Sequence, residues 1–245
     1  MLSDIRIVLV ATTHPGNIGA AARAMKNMGL ADLALVNPKV FPSAEANARA
    51  SGADDILQQA AVYPSVEAAI AGCHSVIGAS ARRRTISWPE LTPRETAVRA
   101  AAAPMGQKTA ILFGREHAGL TNEELLCCHH LLHIPCDAGF QSLNVAAAVQ
   151  VVAYELRLAF LAGVEEAAGE EVQLASGEEM ESFFGHLTAT LFDVGFLHER
   201  KSSPSLIRRI RRIFNRAQLE TTDINILRGI LTAVQNRIRR TSTPC

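Results

Sequence analysis

The 245-residue chain lacks any apolar run long enough to cross a bilayer, which takes about 18 to 20 residues. Its first residues lead directly into a strand pattern, without the basic and apolar regions of a secretory signal. The five cysteines include no Cys-x-x-Cys pair, which argues against a disulfide framework and a zinc ribbon. We therefore expect a cytoplasmic protein with reduced thiols and no membrane segment.

Convergent metal ligands are also missing. The one candidate cluster consists of Cys127, Cys128, His129 and His130, with His133 and Cys136 nearby. Neighbouring residues of a strand point to opposite faces of the sheet, whereas structural zinc needs four convergent ligands. We interpret the cluster as buried thiols and strand-end histidines, and we expect no bound metal.

The chain carries no net charge, with 24 basic and 24 acidic residues, but its charges are segregated. Residues 166–199 contain eight acidic side chains and no Lys or Arg, whereas residues 200–245 contain eleven basic and only two acidic ones. All but Lys201 of these basic residues are arginines, whose guanidinium fork matches phosphate oxygens. Such a block is typical of a surface that binds a polyanion; a merely solvated basic face is the alternative.

Apolar runs alternate with helix-like segments up to residue 160. The strand-like runs are residues 5–11, 33–36, 76–78, 108–113 and 130–134. This alternation predicts an α/β domain over residues 1–162, with a mostly parallel sheet and helices on both faces. The last helix of this domain, with Ser142 as its expected N-cap, is apolar nearly all round and should be buried against the sheet or a partner chain.

A Gly- and Glu-rich stretch, residues 163–177, has the composition of a solvated linker. Behind it we predict a helical extension over residues 178–245. Its first helix begins with a capping box at Ser176, its second at Ser203-Pro204, and its third at Thr221, Thr222 or Asp223.

The second of these helices is amphipathic. Its apolar stripe consists of Leu206, Ile207, Ile210, Ile213 and Phe214. The arginines that this leaves mostly on the other face are Arg208, Arg209, Arg211, Arg212 and Arg216. Helical spacing therefore predicts a bundle with one arginine-rich face.

Two glycine-bearing segments stand at the carboxyl ends of two predicted strands. They are FGREHAGL, residues 113–120, and IPCDAGFQSLNVAAA, residues 134–148. Ligands of open α/β proteins bind where loops leave the carboxyl ends of parallel strands. We therefore predict that the two segments form two walls of one pocket.

A third loop follows the first strand and leads into a helix that carries Arg23. Asn17 is a natural N-cap there, and Gly19 permits a close backbone approach. A dinucleotide-binding turn begins in a similar way. However, Gly-x-Gly-x-x-Gly is absent, and the next strand ends at Asn37 rather than at an acidic residue that would hold a ribose.

A fourth loop, Ala79-Ser80-Ala81-Arg82-Arg83-Arg84, directly follows the strand-like run at 76–78. Its small side chains let a ligand lie against the backbone, and its arginines would stand at the rim of the pocket. A solvated arginine triplet is the alternative.

Three of these segments, in this order, resemble the motifs of the SPOUT RNA methyltransferases. The matching residues are Asn17-Ile18-Gly19 with Arg23, then FGREHAGL, then IP followed by SLNVAAA with Tyr154-Glu155. The resemblance covers residues 5–161 and implies an α/β domain with a deep C-terminal trefoil knot. The ASARRR loop and the helical extension make the chain most similar to members that methylate the ribose 2′-hydroxyl of cytidine or uridine at position 32 of the tRNA anticodon loop.

The resemblance implies S-adenosyl-L-methionine as the cofactor, bent into the knot and held largely by backbone groups. The residues implied to bind it are Ala79, Ser80, Ala81, Gly114, Arg115, Glu116, Gly119, Ile134, Ser142, Leu143 and Asn144. Within this set we expect Gly119 to keep its turn tight. Glu116 is expected to orient Arg115 or the loop itself, with a purely structural role as the alternative.

For catalysis the resemblance implies Arg23, with Asn17, Ser142 and Asn144 completing the site by hydrogen bonds. A guanidinium is effectively never deprotonated in proteins. We therefore expect Arg23 to orient the flanking phosphate and to stabilise the developing alkoxide rather than to act as a base.

The resemblance also implies a homodimer in which Arg23 of one chain faces the cofactor of the other, and tRNA as the partner. The RNA-binding residues are then Arg23, Arg82, Arg83, Arg84, Arg208, Arg209, Arg211, Arg212 and Arg216. Two other functions stay open at this point: a catalytically silent RNA-binding module and a nicotinamide oxidoreductase.

Overall fold

A computed structural model describes residues 1–81, 88–162, 174–198 and 204–241. Within these residues a single sheet contains seven strands: β1 (Ile5–Val10), β2 (Asp32–Val36), β3 (Ala61–Tyr63), β4 (Ser75–Ala79), β5 (Glu90–Leu91), β6 (Thr109–Phe113) and β7 (His130–Leu132). Their order across the sheet is β3-β2-β1-β6-β4-β7-β5, and every neighbouring pair is parallel. The predicted parallel α/β architecture is confirmed, whereas the trefoil knot stays a prediction.

Apolar side chains cover both faces of this sheet. In β1, Ile7 and Leu9 belong to one core and Val8 to the other, because successive side chains of a strand point to opposite faces. The larger core lies under five helices: α1 (Pro15–Met28), α2 (Ala44–Ala50), α3 (Asp54–Gln59), α5 (Pro93–Ala101) and α7 (Val145–Leu161). The other face is covered by α4 (Val66–Ile70), α6 (Asn122–Leu125) and Trp88.

Two helix beginnings differ from the predicted ones. Helix α1 begins at Pro15, so Asn17 lies inside its first turn instead of capping it. Helix α7 begins at Val145 and its N-cap is Asn144, whose Oδ1 accepts a hydrogen bond from the Ala146 amide at 2.9 Å, rather than Ser142. Gly19 has the close approach expected of it, but to α2: a Cβ there would lie 2.0 Å from the carbonyl oxygen of Ala46.

Helix α7 is buried along one face only. Val149, Val152 and Leu156 pack in the larger core, between α1 and α5. The opposite face leaves apolar side chains exposed: Ala147, Val151, Tyr154, Leu158 and Leu161. The predicted burial of α7 against the sheet is therefore found along one face, and burial of its exposed apolar face against a partner chain stays a prediction.

The described residues after 174 form three helices, as predicted: α8 (Gly177–Asp193), α9 (Pro204–Ala217) and α10 (Thr221–Thr241). Ser176 and Glu179 form the predicted capping box, with Glu179 accepting from the Ser176 amide at 2.7 Å. The core shared by the three helices contains aromatic side chains. The rings of Phe183 and Phe214 pack edge to face, with 4.9 Å between their centroids. Ile213, assigned to the apolar stripe of α9, is 62% exposed, and the buried position near it is Asn215.

The helical extension is docked on the α/β domain. The Gly177 and Glu178 amides donate to the carbonyls of Cys73 and Ala71, at 2.9 and 3.1 Å. The buried Asn215 amide donates to the carbonyl of Leu126 at 2.5 Å. Ala175, at the end of the predicted solvated linker, is 2% exposed, so residues 174–177 are packed; residues 163–173 of that linker lie outside the described residues.

No helix in the described ranges is both long and apolar enough to cross a membrane.

Candidate active site

A cavity of about 420 Å³ opens at the carboxyl ends of β4, β6 and β7. Its walls come from the loop after β4, the FGREHAGL loop and the loop between β7 and α7. The predicted cofactor residues that line it are Ala79, Ser80, Ala81, Gly114, Arg115, Glu116, Gly119, Ile134, Ser142 and Leu143. The structure thus brings these residues together around one space, and Asn144 lies just outside it.

The FGREHAGL loop is a tight turn that leaves space beside it for the cavity. The backbones of Arg115 and Gly119 exchange two hydrogen bonds, at 3.2 and 2.9 Å, and Gly119 has a φ of 67°. A Cβ on Gly114 would lie 2.1 Å from the carbonyl carbon of Gly119, so only glycine fits this position. Gly119 keeps the turn tight because the left-handed region disfavours other residues.

Arg115 is held from the far side of this turn. Its guanidinium donates to both carboxylate oxygens of Glu124 in α6, at 2.9 and 3.0 Å. Glu124 also accepts the Thr121 amide at 2.7 Å as part of the α6 capping box. Of the two expectations for Glu116, orienting Arg115 is wrong, because Glu124 already forms the bidentate pair, whereas orienting the loop itself agrees with the contacts described next.

Glu116 instead reaches across to the start of α1. Its carboxylate accepts hydrogen bonds from the Thr13 amide and hydroxyl, from the His14 amide at 3.2 Å and from the Asn17 side-chain amide at 2.9 Å. Partial burial raises the pKa of Glu116, but the hydrogen bonds from Asn17 and Thr13 outweigh this and lower it to about 2. Glu116 is therefore ionised at neutral pH.

Asn17 extends this network to the third wall of the cavity. Its Oδ1 accepts a hydrogen bond from the Asn144 side-chain amide at 3.0 Å, and Asn144 in turn caps α7. Glu116, Asn17 and Asn144 thus connect three loops that are far apart in sequence. Two of the predicted catalytic residues, Asn17 and Asn144, serve here to fix the loops against each other.

Arg23 does not line the cavity of its own chain. It lies on the exposed side of α1 and makes no hydrogen bond or ion pair with another of the described residues. Ser142 does line the cavity. Of the four predicted catalytic residues, one is therefore at the cavity, two are in the network beside it and one stands apart.

Some arginines of the predicted arginine-rich surface form ion pairs within the protein, and others are exposed without one. Arg211 forms a bidentate ion pair with Glu181 at 2.6 and 2.7 Å and stacks on Phe184, and Arg208 pairs with Glu123 of α6 at 2.9 Å. Arg209 and Arg216 are exposed, and neither has an ion pair with a described residue. Arg212 is half-buried, and Arg82, Arg83 and Arg84 lie outside the described residues.

The Cys and His cluster is part of the core. Cys128 is buried beside Gly78, and the imidazole Nδ1 of His129 accepts the Val76 amide at 2.9 Å. Burial lowers the pKa of His129 and of His130 to about 4, so both side chains are neutral at pH 7. Across residues 1–81, 88–162, 174–198 and 204–241, no three His, Cys, Asp or Glu side chains are grouped as metal ligands.

Several cavity residues were not predicted from sequence to bind the cofactor. They are Phe113, His117, Ala118, Leu132, Cys136, Ala138, Gly139, Gln141, Val145 and Ala148. They belong to the loops already recognised or, like Leu132, to a strand that leads into one. The sequence therefore indicated the segments that form the cavity, but not each residue that lines it. The contact of Glu116 with Thr13 and His14 had no local signal, because the two loops are about 100 residues apart.

Two family comparisons divide the chain between them. Residues 4–154 match the SpoU rRNA methylase family. Residues 178–243 match the C-terminal domain of the tRNA methyltransferase TrmJ.

Whole-chain relatives agree with both matches. The chain is 49% identical to the tRNA (cytidine/uridine/adenosine-2′-O-)-methyltransferase TrmJ of Pseudomonas aeruginosa (strain UCBPP-PA14), over 98% of this chain and 96% of that protein. It is 48% identical to the tRNA (cytidine/uridine-2′-O-)-methyltransferase TrmJ of Photorhabdus laumondii, over 96% and 98%. The crystal structure of TrmJ from Z. mobilis ZM4 superposes with a TM-score of 0.84 at 35% identity, over 94% of this chain and 98% of that one.

Proposed function

Because this chain belongs to the SpoU methylase family, we propose that it transfers a methyl group from S-adenosyl-L-methionine to a ribose 2′-hydroxyl of tRNA. Family membership confirms the resemblance seen in the sequence and speaks against a nicotinamide oxidoreductase. The observation that carries the proposal is the single cavity formed by the three loops that bear the motifs. The relatives named above are tRNA 2′-O-methyltransferases over nearly the whole length of this chain.

The cavity fits this cofactor. Its volume of about 420 Å³ lies within the roughly 300 to 1,000 Å³ common for small-molecule sites. Leu132, Ile134 and Val145 offer apolar contact to an adenine ring, while the glycine turn at 114–119 brings backbone groups to the wall. When bound, S-adenosyl-L-methionine supplies a methyl group on a positively charged sulfur.

Arg23 would supply positive charge beside the ribose oxygen, which would pass its proton to solvent water as it accepted the methyl group and S-adenosyl-L-homocysteine left. A guanidinium stays protonated, so its part is to orient the phosphate beside the target ribose and to stabilise negative charge on the oxygen. Arg23 is exposed and outside the cavity of its own chain. It therefore serves the cavity of a second copy, in a homodimer.

The exposed face of α7 supports such a homodimer. Ala147, Val151, Tyr154 and Leu158 form an apolar strip along one side of the helix, beside the cavity loop that ends at Asn144. Small residues such as Ala147 let another backbone approach closely. Pairing through this strip would bury the apolar face that the single chain leaves in water.

In the proposed complex the exposed arginines of the helical extension bind tRNA phosphates. Arg209 and Arg216 are the arginines of α9 that are exposed and have no ion pair with a described residue, so they remain available. The target nucleotide is cytidine or uridine at position 32 of the anticodon loop, in a cytoplasmic tRNA pool. Residues 1–162 carry the reaction and residues 178–245 the additional RNA contacts.

Replacement of Arg23 tests the reaction. We expect Arg23→Ala to lower methylation of tRNA by about 100-fold or more, as when one stabilising donor is lost, while calorimetric affinity for S-adenosyl-L-methionine stays the same. The matched control is Arg94→Ala, which removes another exposed arginine, loosely paired with Glu155 at 3.5 Å.

The experiment measures which atom of the tRNA carries the new methyl group, as well as the rate of methylation. A methyl group on a base instead of a ribose would contradict the proposed reaction. An equal loss of methylation and cofactor affinity in Arg23→Ala would contradict the role of Arg23. A protein that binds tRNA but never methylates it would be the silent RNA-binding module.

A further inference from the structure

Phe140 is an exposed aromatic residue at the rim of the cavity. Its side chain is 79% exposed, although the chain contains few aromatic residues and buries most of its large apolar side chains. We propose that the Phe140 ring stacks on the nucleobase of the target nucleotide and so holds its ribose at the cavity. This inference rests on the proposed function and names a residue that recognises its substrate.

The ring is outside the cavity and beside it. Ala138 and Gly139 before it, and Gln141, Ser142 and Leu143 after it, all line the cavity, whereas Phe140 does not. The ring therefore lies beside the cavity and is not part of its wall. It is available to whatever covers the cavity from outside, which in the proposed reaction is the target nucleotide.

The backbone holds Phe140 in a fixed place. The Phe140 amide donates to the carbonyl of Asp137 at 3.0 Å, and the Gly139 amide donates to the Asp137 carboxylate at 2.8 Å. These two hydrogen bonds close a turn whose last residue is Phe140. Because the turn already fixes the backbone, stacking has to order only the side-chain torsions of Phe140.

Stacking suits the chemistry of this substrate. An anticodon loop is single-stranded, and proteins recognise such loops by splaying bases out onto aromatic side chains. To bring a ribose hydroxyl to the cavity, the attached base must lie at its rim, since the cavity itself holds the methyl donor. Because every base has a flat face, an aromatic platform accepts more than one base, unlike a pocket that hydrogen-bonds one base edge.

The test uses the full-length protein and tRNA transcripts, after the methylated nucleotide has been mapped. Affinity is measured for a normal transcript and for one that lacks the base at the mapped nucleotide. The variants are Phe140→Ala, Phe140→Tyr and Met105→Ala, the last as a control because Met105 is 78% exposed on another loop. Cofactor affinity and molar mass in solution are measured for each.

We expect the unaltered protein to bind normal tRNA about tenfold or more tightly than the abasic transcript, and Phe140→Ala to bind both alike. Phe140→Tyr should restore the preference, and Met105→Ala should keep it. If Phe140→Ala still prefers normal tRNA over the abasic transcript, the inference is wrong. The proposed function still stands in that case, provided that the unaltered protein methylates tRNA.

Two further results would also overturn it. Loss of cofactor affinity in Phe140→Ala would place the ring in the cofactor site, and a fall in molar mass would make it a contact between two copies of the chain. If the unaltered protein methylates no tRNA ribose, the proposed function fails and the inference fails with it.

Discussion

The carboxylate of Glu116 accepts hydrogen bonds at the start of helix α1, although the two are about 100 residues apart in sequence. His14, the N-cap of α1, gives no side-chain hydrogen bond to the helix, and Glu116 instead accepts the amides of Thr13 and His14. A negative charge at a helix N-terminus is also favoured by the aligned peptide dipoles. The low pKa of Glu116 follows from its hydrogen bonds with Asn17 and Thr13. The position of the Arg23 helix therefore depends on a residue of the cofactor loop.

We expect Glu116→Gln to destabilise the protein by about 2 to 3 kcal/mol, because a glutamine brings a donor to a point where four donors already converge. Methylation should fall further than stability predicts, since the Arg23 helix and the cavity loop lose their connection. Urea unfolding and steady-state kinetics measure the two effects. The control is Glu123→Gln, which weakens exposed contacts of the carboxylate with Arg208 and Thr121 and should cost less than about 1 kcal/mol. Equal effects of the two substitutions would contradict the role of Glu116.

At the residue scale, the sequence indicated which residues lie at the site better than it indicated which residues they contact. Asn17, Glu116 and Asn144 were all expected at the site, yet Asn17 does not cap α1, and Glu116 does not hold Arg115. Capping patterns are local, so they favour the nearest polar side chain. A carboxylate from about 100 residues away has no local signature, and only the fold brings it to the helix.

Helix α8 depends on a glycine at its first position for its contact with the α/β domain. A Cβ on Gly177 would lie 2.8 Å from the carbonyl oxygen of Ile70, against backbone that cannot move aside cheaply. The Gly177 amide also donates to the carbonyl of Cys73. The close approach therefore joins the helical extension to the end of α4.

A pair of substitutions in this one helix separates helix propensity from docking. Gly177→Ala should destabilise the protein by about 1 to 3 kcal/mol, because the added methyl forces the two units apart. Gly185→Ala, at an exposed position with no atom within 4 Å of the new Cβ, should stabilise it by about 0.5 to 1 kcal/mol. Thermal unfolding of both variants measures the difference. A stabilising Gly177→Ala would contradict the docked arrangement.

The amphipathic pattern of α9 predicted the helix, but it did not predict which of its arginines form ion pairs within the protein. The spacing placed Arg208 and Arg211 with Arg209 on a common basic face. In the fold, Glu181 and Glu123 come from other elements and neutralise two of the three. The position of such carboxylates is a tertiary fact, so periodicity within one helix does not show it.

At the scale of the whole molecule, the remaining free arginines should determine how salt affects tRNA binding. Each arginine that contacts a phosphate contributes about one unit to the slope of log affinity against log salt. The double substitution Arg209→Glu and Arg216→Glu should therefore lower tRNA affinity and flatten that slope, with no change in cofactor affinity. Filter binding at several salt concentrations gives the slope.

The control for that experiment is Arg211→Gln. Arg211 is paired with Glu181 and stacked on Phe184, so its loss should lower the unfolding midpoint rather than the salt slope. An unchanged slope in the double variant would make the exposed arginines a solvated surface.

The order of the motifs predicted the class of the whole molecule, but not the order of its strands. Alternating apolar and helical segments indicated a parallel sheet, and the matched motifs indicated the methylase family. Strand order depends on which strand edges meet, and buried parallel strands are apolar on both faces, so their patterns are nearly alike. The placement of β6 between β1 and β4 was accordingly beyond sequence reasoning.

That placement has a consequence during translation. Among the strands that the structure describes, β4 pairs only with β6 and β7, so it has no sheet neighbour when it leaves the ribosome. The 29 residues between the last residue of β4 and the first of β6 take roughly 1.5 to 6 seconds to synthesise. During that interval the apolar side chains of Val76 and Ile77 have no strand beside them, and the nascent chain is open to association with other unfolded chains.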